Sequence, residues 1–247
     1  MNKPIQLIDG NNAFMVLYSK NPTYDMFMNA IAALEQGGQT IWFWDGFDSR
    51  HYRRGIYPEY KAKRTKKPQD AAVFDLMNQF KANQTLPRIE IPQWEADDDV
   101  IAYMAKRLRL ASPTRDIILF STDADLKTLS ATDQIQIPWI KSLPDISATD
   151  IHLYKSLVGD TSDNIKGCKG FGNVAWNSLD DLTKHLIRQA LENDLGFPEL
   201  GDFKYSRLLN VEWENVKMAY KLVKFRYDES LPKLIESHYV SGSRKPS

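Results

Sequence analysis

Acidic side chains are crowded in one short stretch of the sequence, QWEADDDVIAYMA, at positions 93–105. Glu95, Asp97, Asp98 and Asp99 lie within five residues there, directly before an apolar pattern of helical spacing. Carboxylates this close repel one another, and burying any of them costs free energy unless a cation or a hydrogen-bond donor offsets the charge. The stretch therefore indicates either the solvated first turn of a helix or part of a cation site.

The helix after these acids indicates which way each of them points. Apolar residues recur from Ile101 to Leu108 with the spacing of one buried helix face. Extended backwards, this face passes through Asp97 and Asp98, so we assign both to a cation site. Asp99 falls on another face and is expected to be an ordinary first-turn charge on the solvent side.

Other acidic residues come at the ends of predicted strands and in a glycine-rich turn. Asp9 and Asp45 end short apolar runs, and the segment STDAD at positions 121–125 follows a third. Each alone fits the preference of aspartate for turns, but parallel strands bring their carboxyl ends to the same sheet edge. The predicted cluster has nine members: Asp9, Asp45, Glu95, Asp97, Asp98, Asp123, Asp125, Asp160 and Asp163.

The ligand chemistry of this cluster favours hard divalent cations. So many carboxylates cannot stay ionised together without cations, and oxygen ligands suit Mg²⁺, with Mn²⁺ as a substitute. The four histidines are scattered along the chain, so no zinc site is predicted. Two divalent ions about 4 Å apart suit phosphoryl transfer, because one activates water and the other stabilises the leaving oxygen.

A basic segment follows the second apolar run. Between Gly46 and Lys67 there are eight basic and two acidic residues, although the whole chain has a net charge of zero. Tyr52, Tyr57 and Tyr60 alternate with the basic residues. Basic side chains bind phosphates and aromatic rings stack on bases, so the segment predicts nucleic-acid binding, with a solvated basic loop as the alternative.

Apolar runs alternate with helical patterns in the first part of the chain, which predicts an α/β fold with a parallel sheet. The predicted elements are strands at residues 5–9, 41–45, 117–123 and 135–140, and helices at about 24–36, 70–82, 97–110, 147–158, 180–193 and 211–226. The predicted domains are a core at residues 1–145, with a basic arch at about 46–92, a smaller helical region at 146–240, and a disordered tail at 241–247.

Bulk properties restrict the cellular setting. The single cysteine, Cys168, allows no intramolecular disulfide, which suits a reducing cytosol. No apolar run is as long as a membrane span, and the N-terminus lacks the pattern of a signal peptide. We therefore expect a cytoplasmic, monomeric protein without membrane contact.

Six short motifs, in this order, resemble those of the 5′-nuclease or flap endonuclease family, which includes the 5′-nuclease domain of bacterial DNA polymerase I and free-standing bacteriophage nucleases. The matching segments are IDGNN (8–12), WDG (44–46), YPEYKAKR (57–64), EADDDVIA (95–102), STDADL (121–126) and GDTSDNIKGCKGFG (159–172). The resemblance implies a PIN-like core with helices on both faces of its sheet and a helix–three-turn–helix DNA-binding part. It also implies a two-metal enzyme of a bacterial or phage-infected cytoplasm. Such an enzyme cleaves 5′-ended or branched DNA, or RNA–DNA primers, beside replication proteins.

The resemblance further implies ligands for each metal. Those of the first metal would be Asp9, Asp45, Glu95 and Asp97, and those of the second Asp123, Asp125, Asp160 and Asp163, with Asp97 between the two metals and Asp98 supporting the cluster. Lys61 and Arg53 would contact the scissile phosphate, and Tyr60 would stack on the terminal base.

The DNA contacts and the glycine-rich turn are implied in the same way. The expected DNA-binding residues are Tyr60, Arg54, Lys63, Arg64, Lys66, Lys67, Lys166, Gly167, Lys169, Gly170 and Gly172. The turn at positions 167–172 would receive a DNA phosphate at its backbone N–H groups and bind K⁺ through carbonyl oxygens. Cys168 departs from the usual Val or Pro of the family and is expected to be a small buried residue, not a nucleophile.

Three alternatives stay open at the level of sequence. A PIN-type ribonuclease would share the core and its metals but would not need the glycine-rich turn and the basic arch. A non-catalytic structure-specific DNA-binding protein would not need every carboxylate and Lys61. An aspartyl phosphotransferase using Asp123 and Asp125 would form a phospho-aspartate without a basic arch. We therefore predict a Mg²⁺-dependent 5′-nuclease.

Overall fold

A five-stranded mixed sheet lies at the centre of the fold. The computed structural model describes residues 3–21, 23–64, 68–140 and 146–241, without the side chains at positions 68–70, 98 and 132. The strands of these residues are β1 (Ile5–Asp9), β2 (Gln39–Asp45), β3 (Arg88–Ile91), β4 (Ile117–Phe120) and β5 (Tyr239–Val240). Their order is β4-β1-β2-β3-β5, with β1 to β4 parallel and β5 antiparallel to β3.

The predicted strands agree with this sheet in part. β1 has the predicted bounds, β2 begins at Gln39 instead of residue 41, and β4 ends at Phe120, before Asp123. β3 was not predicted, because four residues of alternating burial give a weak pattern. The strand predicted at residues 135–140 is wrong, since the pairing there is one bridge between Gln136 and Ile118.

Six helices of the described residues lie at predicted positions, and six others, at residues 10–20, 51–56, 128–132, 173–176, 206–211 and 231–238, were not predicted. In chain order they are α1 (Gly10–Lys20), α2 (Tyr24–Gln36), α3 (His51–Ile56), α4 (Pro68–Asn83), α5 (Ala102–Ala111), α6 (Thr128–Thr132), α7 (Ile151–Val158), α8 (Asn173–Trp176), α9 (Asp181–Glu192), α10 (Ser206–Val211), α11 (Trp213–Val223) and α12 (Leu231–His238). In the part of the chain that the structure describes, none of the helices is long and apolar enough to cross a membrane.

Hydrophobic side chains cover both faces of the sheet. Ile5 and Leu7 of β1 pack on one face with residues of α5 and α12, whereas Ile8 packs on the other with residues of α1, α2 and α4. Alternate residues of a strand project to opposite faces, so β1, which is buried along its whole length, needs a layer on each side. The predicted α/β fold with helices on both faces is therefore confirmed, with β5 as an antiparallel addition.

A π-helical turn, Ala96–Ile101, precedes α5. Its wider winding appears in the hydrogen bond from the Val100 N–H to the Glu95 carbonyl oxygen, 3.4 Å long and five residues apart. The helix predicted at residues 97–110 is thus present, but its first turn is not α-helical. Because a wider turn changes which side chains share a face, the face defined by the apolar residues of α5 cannot be extended into the acidic stretch.

The chain forms two compact units. Unit 1 comprises Met1–His51, Lys66–Leu143 and Phe225–Ser247, and unit 2 comprises Tyr52–Thr65 and Pro144–Lys224. The core of unit 2 is formed by residues of α7 to α11.

These units differ from the two consecutive domains expected from the sequence. The segment after Lys224 returns to unit 1, where Leu231 and Ile235 join the core, and residues 52–65 belong to unit 2, where Tyr60 is buried. Contacts between distant parts of the chain decide both assignments. Apart from Ser241, the predicted tail at 241–247 lies outside the described residues.

Candidate active site

Asp9, the last residue of β1, is buried at the carboxyl edge of the sheet. Its carboxylate accepts hydrogen bonds from the Asn12 N–H (3.1 Å) and from the Ser121 hydroxyl (2.8 Å), and the first of these bonds caps α1. A Cβ at Gly10 would lie 2.4 Å from the Trp44 ring, so only glycine allows the helix to begin directly after the strand. Strand end and helix start together hold this carboxylate in place.

The loop after β4 brings two further acids to this edge. The Ser121 hydroxyl also accepts a hydrogen bond from the Asp123 N–H (3.1 Å), and the Asp123 carboxylate accepts one from the Asp125 N–H (2.9 Å). Asn12 binds the loop through both ends of its amide, donating to the Thr122 hydroxyl (2.8 Å) and accepting from the Thr122 N–H (3.0 Å). The start of α1 and the loop are therefore held in a defined relation.

Asp45, at the end of β2, connects this edge to the acidic stretch. Its carboxylate accepts a hydrogen bond from the Ala96 N–H at 2.9 Å, and Ala96 stands between Glu95 and Asp97. Its own N–H donates to the side-chain oxygen of Asn11 at 3.1 Å. Glu95 is buried and Asp97 half-buried, so the stretch lies at the same end of the sheet as the strand-end carboxylates.

The negative charges of these strand ends act on one another. Burial of the Asp9 side chain, followed by the charges of Asp45 and Asp123, raises the pKa of Asp9 from 3.8 to about 7, against the lowering effect of its hydrogen bonds. A cation among these oxygens would reverse the shift, because nearby positive charge favours the ionised carboxylate. The edge is thus a place where a cation would be strongly favoured.

The donor set of this edge suits Mg²⁺ better than cations that need a complete protein shell. Among the residues that the structure describes, which exclude the side chain of Asp98, no three acidic, histidine or cysteine side chains surround one point as ligands. Zn²⁺ and Ca²⁺ sites usually need at least three protein ligands, whereas Mg²⁺ keeps several waters and binds through one or two carboxylates plus phosphate oxygens. Carboxylate oxygens are hard donors of the kind that bind divalent cations such as Mg²⁺.

Asp99 is not the solvent-side charge that the sequence predicted. Its side chain is 2% exposed, and its carboxylate accepts a hydrogen bond from the Arg226 N–H at 3.0 Å. The prediction assumed α-helical winding, and the π-helical turn directs this side chain inward instead. Its partner is separated from it by more than half of the chain, which no local pattern could indicate.

The two acids of the glycine-rich turn, Asp160 and Asp163, belong to unit 2 and have basic partners there. Lys155 pairs with Asp160 at 2.8 Å. Although burial opposes the change, this ammonium and the donors of Ser162 lower the pKa of Asp160. Asp163 pairs with Arg64 at 2.5 Å. Their predicted role as ligands of a second metal stays a prediction.

Three residues expected to contact DNA are buried in unit 2. Arg53 is 1% exposed and donates to the carbonyl oxygen of Leu222, near the end of α11, at 2.9 Å. Tyr60 is fully buried in an apolar cluster, and the ammonium of Lys61, itself 4% exposed, lies 4.9 Å from the centre of its ring. The ring of Tyr60 is not accessible to a base in this structure, and base stacking by Tyr60 stays a prediction. Phosphate contacts of Arg53 and Lys61 stay predictions.

Several other predicted DNA contacts lie on the surface of unit 2. The exposed residues are Arg54, Lys63, Arg64, Lys166 and Lys169. Two of them have acidic neighbours, since Arg64 pairs with Asp163 and Lys166 lies 3.8 Å from Glu59. Lys66 and Lys67 lie outside the described residues.

Glycines shape the turn between α7 and α8. Gly159 and Gly170 have φ angles of 98° and 87°, which favour glycine. A Cβ at Gly167 would lie 2.4 Å from the Gly159 nitrogen, so the two glycines lie in direct backbone contact. Gly172 precedes α8 as its N-cap residue. The predicted approach of a DNA phosphate to the backbone of this turn, and K⁺ binding there, stay predictions.

Cys168, within this turn, is a buried thiol. Burial and then the charge of Glu212 raise the pKa of Cys168 to about 11. The prediction of a small buried residue is confirmed, and a raised pKa disfavours the nucleophilic thiolate.

Four polar residues that organise the edge were missed as site residues: Asn11, Asn12, Ser121 and Thr122. Their signal was present, because the asparagines follow Asp9 by two and three residues and the hydroxyls directly precede Asp123. Their function depends on bonds between two segments over a hundred residues apart in the chain.

The family model described as 5′-3′ exonuclease, N-terminal resolvase-like domain, matches residues 6–154, and the chain belongs to that family.

Similar proteins include enzymes of thermophilic bacteria. The chain is 28% identical to the thermostable DNA polymerase I of Thermus thermophilus over 187 residues, which cover 69% of this chain and 22% of the polymerase. It is 28% identical to the 5′-3′ exonuclease of Aquifex aeolicus over 186 residues, covering 71% of this chain and 61% of that protein. The chain thus spans about a fifth of the polymerase.

A solved structure shares the fold over nearly the whole chain. It is the bacteriophage T5 D15 flap endonuclease, a variant in complex with DNA and metal ions, with a TM-score of 0.59 and 20% identity over 94% of this chain and 97% of that one. This likeness shows that the α/β architecture and its helical additions are common to both.

Proposed function

We propose that the chain is a structure-specific 5′-nuclease, which hydrolyses phosphodiester bonds near 5′ ends or 5′ flaps of DNA with the help of divalent cations. Membership of the 5′-3′ exonuclease family supports the nuclease class. The names of the relatives support the substrate, since one is a 5′-3′ exonuclease and another a flap endonuclease studied with DNA and metal ions.

The observation that carries this proposal is the crowding of carboxylates around Asp9. Burial and the charges of Asp45 and Asp123 raise its pKa to about 7, so the edge needs positive charge to keep its acids ionised near neutral pH. A phosphodiesterase using divalent cations has this requirement, because the cations must also attract the phosphate.

The proposed cofactor is Mg²⁺, as two ions, with Mn²⁺ as a substitute. The proposed ligands in unit 1 are Asp9, Asp45, Glu95, Asp97, Asp98, Asp123 and Asp125, and Asp160 and Asp163 are kept as further candidates. When bound, such cations activate water and stabilise the departing 3′ oxygen. Lys61 and Arg53 are kept as candidate phosphate contacts.

The chain itself supplies orientation at this edge. The hydrogen bonds of Asn12 and Ser121 fix one carboxylate oxygen each on Asp9, which leaves the remaining lone pairs for a cation. The Ala96 N–H orients the Asp45 carboxylate in the same way. Such preorganisation matters because a ligand displaced by about 1 Å can lower the rate by about a hundredfold.

DNA is the proposed partner of unit 2. The exposed side chains of Arg54, Lys63, Lys166 and Lys169 are proposed phosphate contacts, and the glycine-rich turn is proposed to receive a phosphate and K⁺. RNA–DNA primers, replication and repair proteins, and a cytoplasmic location in a bacterium or phage-infected host are further proposals.

The test is cleavage of a 5′-labelled flap duplex with and without Mg²⁺. Asp97→Asn and Asp123→Asn should each lower the rate of cleavage by more than about 100-fold while DNA binding is retained. Loss of a metal ligand should lower the rate more than loss of a residue that only orients a ligand, which costs about 10- to 100-fold. Asp75→Asn, at an exposed position of α4, is the matched control and should cleave normally.

The same substrates separate the rival functions. Faster cleavage of single-stranded RNA than of the flap would indicate a PIN-type ribonuclease. Tight flap binding without Mg²⁺-dependent products would indicate a DNA-binding protein. Near-normal cleavage by both aspartate variants would refute the proposed mechanism.

A further inference from the structure

The chain segment that returns to unit 1 contacts both ends of the acidic stretch. The guanidinium carbon of Arg226 lies 3.6 Å from the centre of the Trp94 ring, and the Arg226 N–H donates to the Asp99 carboxylate at 3.0 Å. Trp94 directly precedes Glu95, and Asp99 follows Asp97 by two residues. We propose that Arg226 is a positioning residue that holds this stretch in the geometry that cation binding requires, an inference that rests on the proposed function.

The guanidinium of Arg226 lies over the face of a buried tryptophan. Trp94 is 3% exposed, and an arginine over a desolvated tryptophan face is a favourable contact that lysine does not reproduce. The guanidinium is itself oriented, because it lies 3.3 Å from the Asp228 carboxylate and 3.4 Å from the Gln93 carbonyl oxygen. These contacts hold the guanidinium in a fixed position over the Trp94 ring, and the guanidinium in turn restricts the position of the ring.

The backbone before Glu95 is strained and needs such support. Gln93 has a φ of 66°, in the left-handed region that disfavours residues other than glycine. On one side this corner is held by β2 and the turn after it, through bonds from the Gln93 N–H to the Phe47 carbonyl (2.8 Å) and from the Gly46 N–H to the Trp94 carbonyl (3.2 Å). Arg226 holds the other side.

The contact with Asp99 acts on the π-helical turn. A buried carboxylate needs donors, and the Arg226 N–H supplies one from outside the helix. This bond keeps the Asp99 side chain inside the wide turn. Segments of π-helix are uncommon and occur often at functional sites, and Asp97 lies in this one, between Trp94 and Asp99, the two residues that Arg226 contacts.

The segment that contains Arg226 is packed against the core and the sheet of unit 1. Phe225 packs against the main core of unit 1, Leu231 and Ile235 of α12 are buried in it, and β5 pairs with β3. The supporting segment lies outside the region that the family model matches, residues 6–154. The acidic stretch is thus held by a part of the chain remote in sequence.

Two measurements on metal-free and metal-titrated protein test this role. Arg226→Ala removes the guanidinium from the face of Trp94 but keeps the backbone N–H that bonds to Asp99. It is compared with Arg107→Ala, which removes a second guanidinium of unit 1, 5.9 Å from the centre of the Tyr103 ring. Amide hydrogen exchange without metal should speed up about tenfold or more at residues 94–100 in Arg226→Ala only. Calorimetric titration with Mn²⁺ should show about tenfold weaker binding in Arg226→Ala, as for loss of a partner that orients a ligand.

Each result decides the proposal. Unchanged exchange in Arg226→Ala, or equal changes in both arginine variants, would overturn it. If Arg226→Ala does not fold, Arg226→Lys replaces it, because lysine keeps the charge beside Asp228 but has no planar guanidinium to place over Trp94. Arg226→Lys should show smaller changes in exchange and in Mn²⁺ affinity, in the same direction. Wild-type values of both in Arg226→Lys would overturn the proposal. Failure of the wild-type protein to bind Mn²⁺ would instead refute the proposed function, and the exchange comparison would still decide whether Arg226 holds the stretch.

Discussion

Neutralising Asp9 tests whether the sheet edge is a site of crowded negative charge. In Asp9→Asn, the amide oxygen can still accept the bond from the Asn12 N–H, and the Ser121 hydroxyl can donate to or accept from the amide group. The substitution therefore removes the charge while keeping the shape and the cap of α1.

The expected change in stability follows from the two pKa values. Asp9 has a pKa of 3.8 in the unfolded chain, and burial with the charges of Asp45 and Asp123 raises it to about 7 in the folded protein. Below pH 3.8 both states hold the proton, so the group has no effect. As pH rises towards 7 the unfolded chain alone releases the proton, so folding is progressively disfavoured, and above pH 7 the destabilisation is complete at about 4 kcal/mol.

Urea unfolding of metal-free protein at pH 5 and pH 8 measures this effect. The free energy of unfolding of Asp9→Asn, relative to the wild type, should be higher at pH 8 than at pH 5 by about 2–3 kcal/mol. At pH 8, Mg²⁺ at about 100 times its dissociation constant should stabilise the wild type by about 2.7 kcal/mol and Asp9→Asn by less.

Asp75→Asn serves as the control, because Asp75 is exposed on α4 and its substitution should leave no such pH dependence. A difference between Asp9→Asn and wild type that stays constant from pH 5 to pH 8 would refute the reasoning. It would mean that neither burial nor the neighbouring carboxylates raise the pKa of Asp9 in the folded protein.

Three further substitutions test separate contacts. Asn12→Ala removes both bonds to Thr122 and should weaken Mn²⁺ binding by about tenfold in calorimetry, since the loop with Asp123 is released. Gly46→Ala places a Cβ 1.7 Å from the Ile91 carbonyl oxygen and should lower the free energy of unfolding by about 3 kcal/mol or more in urea. Arg53→Lys loses the planar donor to the Leu222 carbonyl and should lower the free energy of unfolding by about 2 kcal/mol.

Matched substitutions make these results specific. Gly55→Ala, where a Cβ meets nothing within 4 Å, should not destabilise the protein, and Arg54→Lys, at an exposed position, should leave stability unchanged. Equal effects of Gly46→Ala and Gly55→Ala would contradict the steric explanation. Normal stability of Arg53→Lys together with lost cleavage would favour a phosphate contact for Arg53. Wild-type Mn²⁺ affinity in Asn12→Ala would show that the loop is held by other bonds.

Local patterns were enough to predict three of the four parallel strands and six of the helices in the described residues. The bounds of β1 and α2 agree with the sequence because burial in a parallel sheet and helical amphipathicity repeat every few residues. β3 and the bridge at Gln136 were misjudged, because short apolar segments do not reveal whether a neighbouring strand is there to pair with.

The tertiary structure decided which polar side chains are buried and with what partners. Tyr60 was interpreted as a base-stacking residue, but its ring belongs to the core of unit 2. Asp99 was interpreted as a solvent charge, but its carboxylate bonds to a segment near the other end of the chain. Neither contact leaves a periodic trace in sequence, since each depends on where a remote segment packs.

The sequence by itself determined which kinds of groups the candidate site contains: acids at strand ends and in the stretch before α5. It did so because residue type and strand direction decide which groups meet at a sheet edge. Only the tertiary structure decided the orientation of these groups. Contacts between distant segments set the winding of the π-helical turn, the position of the Asn12 amide and the contact of Arg226 with Trp94. Such contacts form only when the whole core is packed.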